Sequence, residues 1–147
     1  MSLAYTIKFI PENQLPLVIP FWQQLDCSLS KEILTERLRE MIQQGYQCVG
    51  MYEDEKLVGI SGLWTLVKYY MGKHLELDNV IILSEYRDKG LGKLLSDWIL
   101  EYAKSIGCNG SELNCYVSSF AAQKFWMNQG YNIVGYHFQK KISNEKN

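Results

Sequence analysis

Two groups of residues between positions 74 and 93 have the types and spacing to do chemistry. Arg87-Asp88-Lys89-Gly90-Leu91-Gly92 is a basic, glycine-bearing turn. It follows the unbroken apolar run Val80-Ile81-Ile82-Leu83 and precedes apolar residues at helical spacing: Leu94, Leu95, Trp98, Ile99 and Tyr102. A strand, a glycine turn and a helix in that order aim the turn's backbone N–H groups and the helix N-terminus at one spot, which is an anion site. Gly90 and Gly92 are expected to leave the backbone uncovered for a bulky anion. The second group is Glu76, Asp78 and Val80, which strand alternation places on one face. Two carboxylates there would attract a cation. His74 shares their parity, and His74, Glu76 and Asp78 could hold a divalent ion. Nothing else in the sequence marks a metal site, and none is expected.

The turn is neither of the two common phosphate-binding loops. G-x-x-x-x-G-K-[ST] is absent, and G-x-G-x-x-G fails because Leu95 stands where the third glycine belongs. What remains is [Q/R]-x-x-G-x-[G/A], read as Arg87-x-x-Gly90-x-Gly92 after Glu85-Tyr86. This stretch resembles the pyrophosphate loop of the GNAT superfamily of acyl-CoA-dependent N-acyltransferases. A second signature of that family, N-x-x-A-x-x-x-Y-x-x-x-G-F, is matched in frame by Ser119 to Tyr131. Ser119 replaces the asparagine and Trp126 the tyrosine.

The resemblance implies acetyl-CoA as co-substrate. Main-chain groups at Val80, Ile81 and Ile82 would pair with the pantetheine arm, and the N–H groups of Asp88, Lys89, Gly90, Leu91, Gly92 and Lys93 would hold the pyrophosphate, with Arg87 opening the motif. Lys89 and Lys93 would add charge there or stand as ordinary surface lysines. Ser119 would bond the coenzyme arm. Trp126 falls where the family's tyrosine protonates the departing thiolate, and an indole N–H cannot give up a proton near neutral pH. Thiols ionise at about pH 8–9, so the thiolate can leave with less help. Glu76 stands where the histone-acetyltransferase branch keeps its base. A primary amine, ionising at about pH 10, must lose a proton before it attacks, and Glu76 or Asp78 could take it. Two other readings share the loop: a non-catalytic acyl-CoA sensor, and a transferase of longer acyl groups. The acceptor, a small molecule or a peptide amine, is not legible.

These residues need elements to position them. Tyr5 to Ile10 alternates as a strand; Leu15 to Leu25 reads as a helix with Pro16 in its first turn, short or kinked at Pro20. Ser30 is an N-cap for a helix over 31–44, stopped by Gly45. Tyr46 to Tyr52 and Lys56 to Leu66 form a hairpin around Glu53-Asp54-Glu55, with Gly59 and Gly62 marking a bulge or a close approach. Val67 to Lys73 is an aromatic loop that, with the 26–30 linker, is expected to line the acceptor pocket. Glu112 to Val117 is a strand, Ser119 to Gln129 a helix, and Tyr131 to Ile142 a final strand before a polar tail from Ser143. The predicted order is β-α-α-β-β-β-α-β-α-β, an α/β fold with a mixed sheet, antiparallel first and parallel later. The resemblance adds a three-layer α/β/α sandwich whose central strands, at 74–83 and 112–117, splay apart around the thioester.

At 147 residues the chain is read as one domain, 1–147. Its net charge of −1 argues against a nucleic-acid partner. The absence of a long apolar run argues against a membrane, and a cytoplasmic location is expected. Cys27, Cys48, Cys108 and Cys115 make no C-x-x-C pair, so free thiols are expected rather than a zinc site or disulfides. The aromatic last strand, Tyr131 to Phe138, could pair with another copy to give a homodimer.

Overall fold

The apolar runs at 48–52, 57–63 and 75–83 fold as adjacent strands because each has too many apolar residues to leave either face in water. The computed structural model describes residues 4–143. Its sheet has the spatial order β1 (Tyr5–Phe9), β2 (Gln47–Glu53), β3 (Lys56–Lys68), β4 (Gly72–Ile82) and β5 (Gly110–Leu113). The first four pair antiparallel and β5 pairs parallel to β4, as the order of elements implied. Helices α1 (Ile19–Leu25), α2 (Lys31–Gln43), α3 (Leu91–Ser105) and α4 (Phe120–Asn128) complete the fold.

Two apolar cores lie on the two sides of the sheet, giving the three layers. One joins Val18, Ile19, Trp22, Leu34 and Leu38 of the α1–α2 region to Tyr46, Cys48, Ile60 and Ile81. The other joins Leu91, Leu95, Ile99 and Ala103 of α3 to Val49, Met51, Val58, Leu63, Leu75 and Leu77. Each fully buried aliphatic side chain contributes about 1.5–3 kcal/mol, so α3 is held by its apolar stripe more than by helix propensity.

Several boundaries differ from the sequence reading, for local reasons. Glu12–Val18 winds as a 3-10 helix containing Pro16, and α1 begins only where Pro20 can occupy the first turn. The α2 cap is as expected: Ser30 Oγ accepts the Ile33 N–H at 3.1 Å. The aromatic loop at 67–73 is mostly strand, because β3 and β4 form one long hairpin reversed at Tyr69–Met71. β5 starts and ends earlier than expected because its register is set by β4, with His74 opposite Gly110 and Leu77 opposite Leu113. The strand expected over Tyr131 to Ile142 does not form. Residues 132–142 are exposed, carry no regular secondary structure and pair with no strand among the described residues. Of the expected polar tail, residues 144–147 lie outside the described residues.

Candidate active site

β4 carries the site, and a bulge in it decides which residues face where. Gly62 pairs with Asp78 and Ile60 with Ile81, so one residue of β3, Ser61, opposes two of β4, Asn79 and Val80. Asn79 takes a left-handed backbone, φ 53°. The extra residue reverses the alternation. Asp78 and Ile81 lie on the α1–α2 side, while Val80 and Ile82 pack with Leu75 and Leu77 on the α3 side. The expectation that Glu76, Asp78 and Val80 share a face is therefore corrected: Glu76 and Asp78 share one, and Val80 has the other.

The same stretch of β4 opens an edge. Its pairing with β5 ends at Leu77 and Leu113, yet β4 runs on to Ile82. Over 78–82 the β5-facing edge has no strand beside it among the described residues. This is the splay that the resemblance implied. The Arg87 Nε–H donates to the Ile82 carbonyl at 3.1 Å, tying the end of that edge to the glycine turn.

The turn itself is built from two left-handed residues, Asp88 at φ 62° and Gly90 at φ 77°, the second capping α3. The first bond into the helix is Leu94 N–H to Gly90 C=O at 3.2 Å. Among the described residues no hydrogen bond engages the N–H groups of Asp88, Lys89, Gly90, Leu91, Gly92 or Lys93. Those of Leu91, Gly92 and Lys93 are the ordinary orphan donors of a helix start. Gly92 acts differently from the expectation that it leaves the backbone open: a Cβ there would meet the Phe125 ring at 3.1 Å, so its role is to let α4 close on α3. Lys89 Nζ lies over the Tyr86 ring, 5.3 Å from its centroid, and Lys93 pairs with Asp97 at 2.8 Å. Tyr86 donates to Glu53 at 2.7 Å, and that bond above all pushes its hydroxyl up to about 12.

On the other side of the gap, Asp78 accepts the Trp64 indole N–H at 3.1 Å. Trp64 packs on Tyr46, whose hydroxyl donates to Asn79 Oδ1 at 3.4 Å. Burial raises the Tyr46 hydroxyl above its ordinary range and pushes the Cys48 thiol up to about 12. Gly62 marks the close approach that its place in the strand suggested: a Cβ there would sit 2.5 Å from the Tyr46 hydroxyl.

Glu76 stands opposite Glu112 across the parallel pair, and both converge with His74, their ligand atoms lying within 4.8 Å of one another. The buried His74 ring places Nδ1 3.0 Å from the Gly72 carbonyl and Nε2 3.6 Å from Glu112, and Nε2 has no hydrogen-bond partner. Tyr70 donates to Glu112 at 3.0 Å, which raises its own hydroxyl. Of the set His74, Glu76 and Asp78 weighed for metal binding, Glu112 therefore takes the place of Asp78. Sequence reasoning missed Glu112. The β4–β5 register that sets it opposite Glu76 is not written in either strand alone.

α4 borders the loop through Phe125. Ser119 is its N-cap residue, and Trp126 is half-buried between Phe125 and Tyr131, at ring distances of 4.8 and 5.4 Å. Tyr131 bonds Ser111 of β5 at 2.8 Å.

A family model described as "Acetyltransferase (GNAT) family" matches residues 17–131. Among curated proteins, the chain is similar to an uncharacterized N-acetyltransferase, YhdJ, of Bacillus subtilis strain 168. The two are 26% identical over 125 residues, covering 84% of this chain and 88% of the relative. Among solved structures, it superposes on glucosamine-6-phosphate N-acetyltransferase from Arabidopsis thaliana with TM-score 0.71 at 21% identity, covering 95% of this chain and 99% of the other. It superposes on aminoglycoside N-acetyltransferase AAC(6')-Iy in complex with CoA with TM-score 0.80 at 14% identity, covering 94% of each. At these identities the structural likeness is one of fold.

Proposed function

The chain belongs to the GNAT acetyltransferase family and is an acyl-CoA-dependent N-acyltransferase; from that premise we propose that it moves an acetyl group from acetyl-CoA to a primary amine by direct attack. The observation that carries this reading is that the open β4 edge over 78–82 runs into the uncommitted amides of 88–93. An extended pantetheine arm suits the first and a diphosphate the second. The thioester supplies an activated acyl group; the rest falls to the chain.

The backbone of Val80, Ile81 and Ile82 pairs with the arm, and an N–H near Ile82 donates to the developing oxyanion. Arg87 holds the Ile82 carbonyl and so fixes that peptide. Glu76, Asp78 and Glu112 make an anionic surface that draws in a protonated amine. Glu76 takes its proton, directly or through water. Asp78, held by the Trp64 indole, is the alternative base. Ser119 bonds the coenzyme. Trp126 lines the departing thiol without protonating it. The acceptor is a small-molecule or peptide amine. Residues 1–147 act as one domain, and four unpaired cysteines suit a reducing compartment such as the cytoplasm.

The test is purified protein with acetyl-CoA and a panel of amines, followed by free-thiol release. Glu76→Gln is expected to lower kcat/KM by about 10²–10⁴, the usual worth of a general base. Asp78→Asn should lower it less. Full turnover in both variants would reject the base assignment. Faster release from longer thioesters than from acetyl-CoA would reject the acetyl assignment.

A further inference from the structure

β4 and β5 together collect three groups that can bind a metal. His74 and Glu76 lie two residues apart on β4, and the parallel register sets Glu112 of β5 opposite Glu76. One ligand atom from each lies within 4.8 Å of the others. His74 is fully buried, whereas Glu76 and Glu112 are half-buried, so the cluster has a closed side and an open one.

The imidazole is set up as a ligand. Its Nδ1 lies 3.0 Å from the Gly72 carbonyl, an oxygen that can only accept, so Nδ1 carries a proton. In the neutral ring that leaves the lone pair on Nε2. This atom is buried, has no hydrogen-bond partner and faces Glu112. Metal-binding histidines are held in the same way: the other nitrogen donates to a carbonyl or carboxylate, which fixes both the tautomer and the ring. The spacing selects between a hydrogen bond and a shared ion. Nε2 and the Glu112 Oε1 are 3.6 Å apart, too long for a hydrogen bond. Two ligands at zinc distances of about 2.0–2.1 Å and tetrahedral angles lie roughly 3.3–3.4 Å apart. Tyr70 donates to the same oxygen at 3.0 Å and holds the carboxylate in place.

We propose that His74, Glu76 and Glu112 are the protein ligands of one zinc ion whose fourth position is open to water. Magnesium and calcium take oxygen ligands, whereas one imidazole with two carboxylates suits zinc. Binding at this site does not depend on the acyl-transfer reading. Its effect on turnover does rest on that reading: Glu76 bound to zinc cannot serve as the base, so zinc inhibits.

The chain has two histidines, His74 and His137, so imidazole nitrogen-15 resonances report the site directly. The full chain, stripped with a chelator, is titrated with zinc. One equivalent should shift His74 Nε2, keep Nδ1 protonated and leave His137 unmoved; magnesium should shift neither ring. Glu112→Gln keeps an oxygen for the Tyr70 bond and should stay folded by circular dichroism. Its zinc Kd should rise at least about tenfold, as should that of Glu76→Gln, since even outer partners of a metal site are worth 10–100-fold in affinity. Cys27→Ser removes an exposed thiol and should leave the Kd unchanged. A His74 ring unmoved at millimolar zinc would overturn the proposal, and so would a zinc Kd that is the same in the wild type and Glu112→Gln. Acetylated product formed at saturating zinc, followed by mass, reads the base assignment separately. Full turnover with the His74 shift present would reject Glu76 as the base while supporting the zinc site.

Discussion

Asp78 and Val80 are two residues apart on β4 and point to opposite sides of the sheet. Regular alternation forbids this, and the left-handed Asn79 between them permits it. A β-branched residue at φ 53° is strained, and left-handed backbone costs about 1–2 kcal/mol. Asn79→Val is therefore expected to lose about that much stability in urea unfolding and more than about tenfold in thiol release, because residues 80–82 would be driven toward ordinary register. Asn79→Gly should keep both. Full activity in Asn79→Val would separate the bulge from the chemistry.

Gly62 and Tyr46 form the floor beneath that bulge. The Cβ of Gly62→Ala would come 2.5–2.9 Å from three Tyr46 atoms, so either the ring or the strand must shift. Overpacking of this kind costs about 1–3 kcal/mol. In a Tyr46→Ala background the same substitution should cost less, with a coupling of about 0.5–3 kcal/mol in a double-mutant cycle of unfolding free energies. Strict additivity would mean that the two residues do not constrain one another.

The two loop glycines should fail differently. Gly90 has open space around it and needs only its left-handed backbone, so Gly90→Ala disturbs the turn whose amides make no hydrogen bond among the described residues. Its expected signature is a KM for acetyl-CoA raised about tenfold with kcat nearly unchanged, the mark of lost ground-state binding. Gly92 needs space instead. Gly92→Ala should lower stability through the Phe125 ring, and a smaller side chain at 125 should relieve it.

The parts legible in the sequence were those set by local patterns. The Ser30 cap, the Gly45 and Gly107 helix ends and the strand–turn–helix around Gly90 rest on neighbouring residues, and each stands close to where the pattern put it. What escaped was set by pairing. The bulge at Asn79 follows from the register between β3 and β4, and the Glu76–Glu112 juxtaposition from that between β4 and β5. Neither register is written in either strand alone. The missing strand after Tyr131 is the same lesson from the other side: residues 132–142 carry a strand's composition, but a strand exists only beside a partner.

Cys48 gives the fold a pH dependence of predictable sign. Burial pushes its thiol from 9.0 up to about 12. Below pH 9 the folded and unfolded chains both keep the proton, and the stability from this group is fully present. Between about pH 9 and 12 the unfolded chain ionises first, binds fewer protons, and gains relative to the folded one, so stability falls by up to about 1.4 kcal/mol per pH unit. Tyr46, also raised by burial, adds to the fall above its ordinary ionisation near pH 10. Urea-unfolding midpoints from pH 8 to 10.5 should therefore drop in the wild type. Cys48→Ala should be less stable at pH 8 because it leaves a cavity, yet its midpoint should fall less steeply with pH. Parallel lines for the two proteins would show that the buried thiol does not carry the alkaline loss.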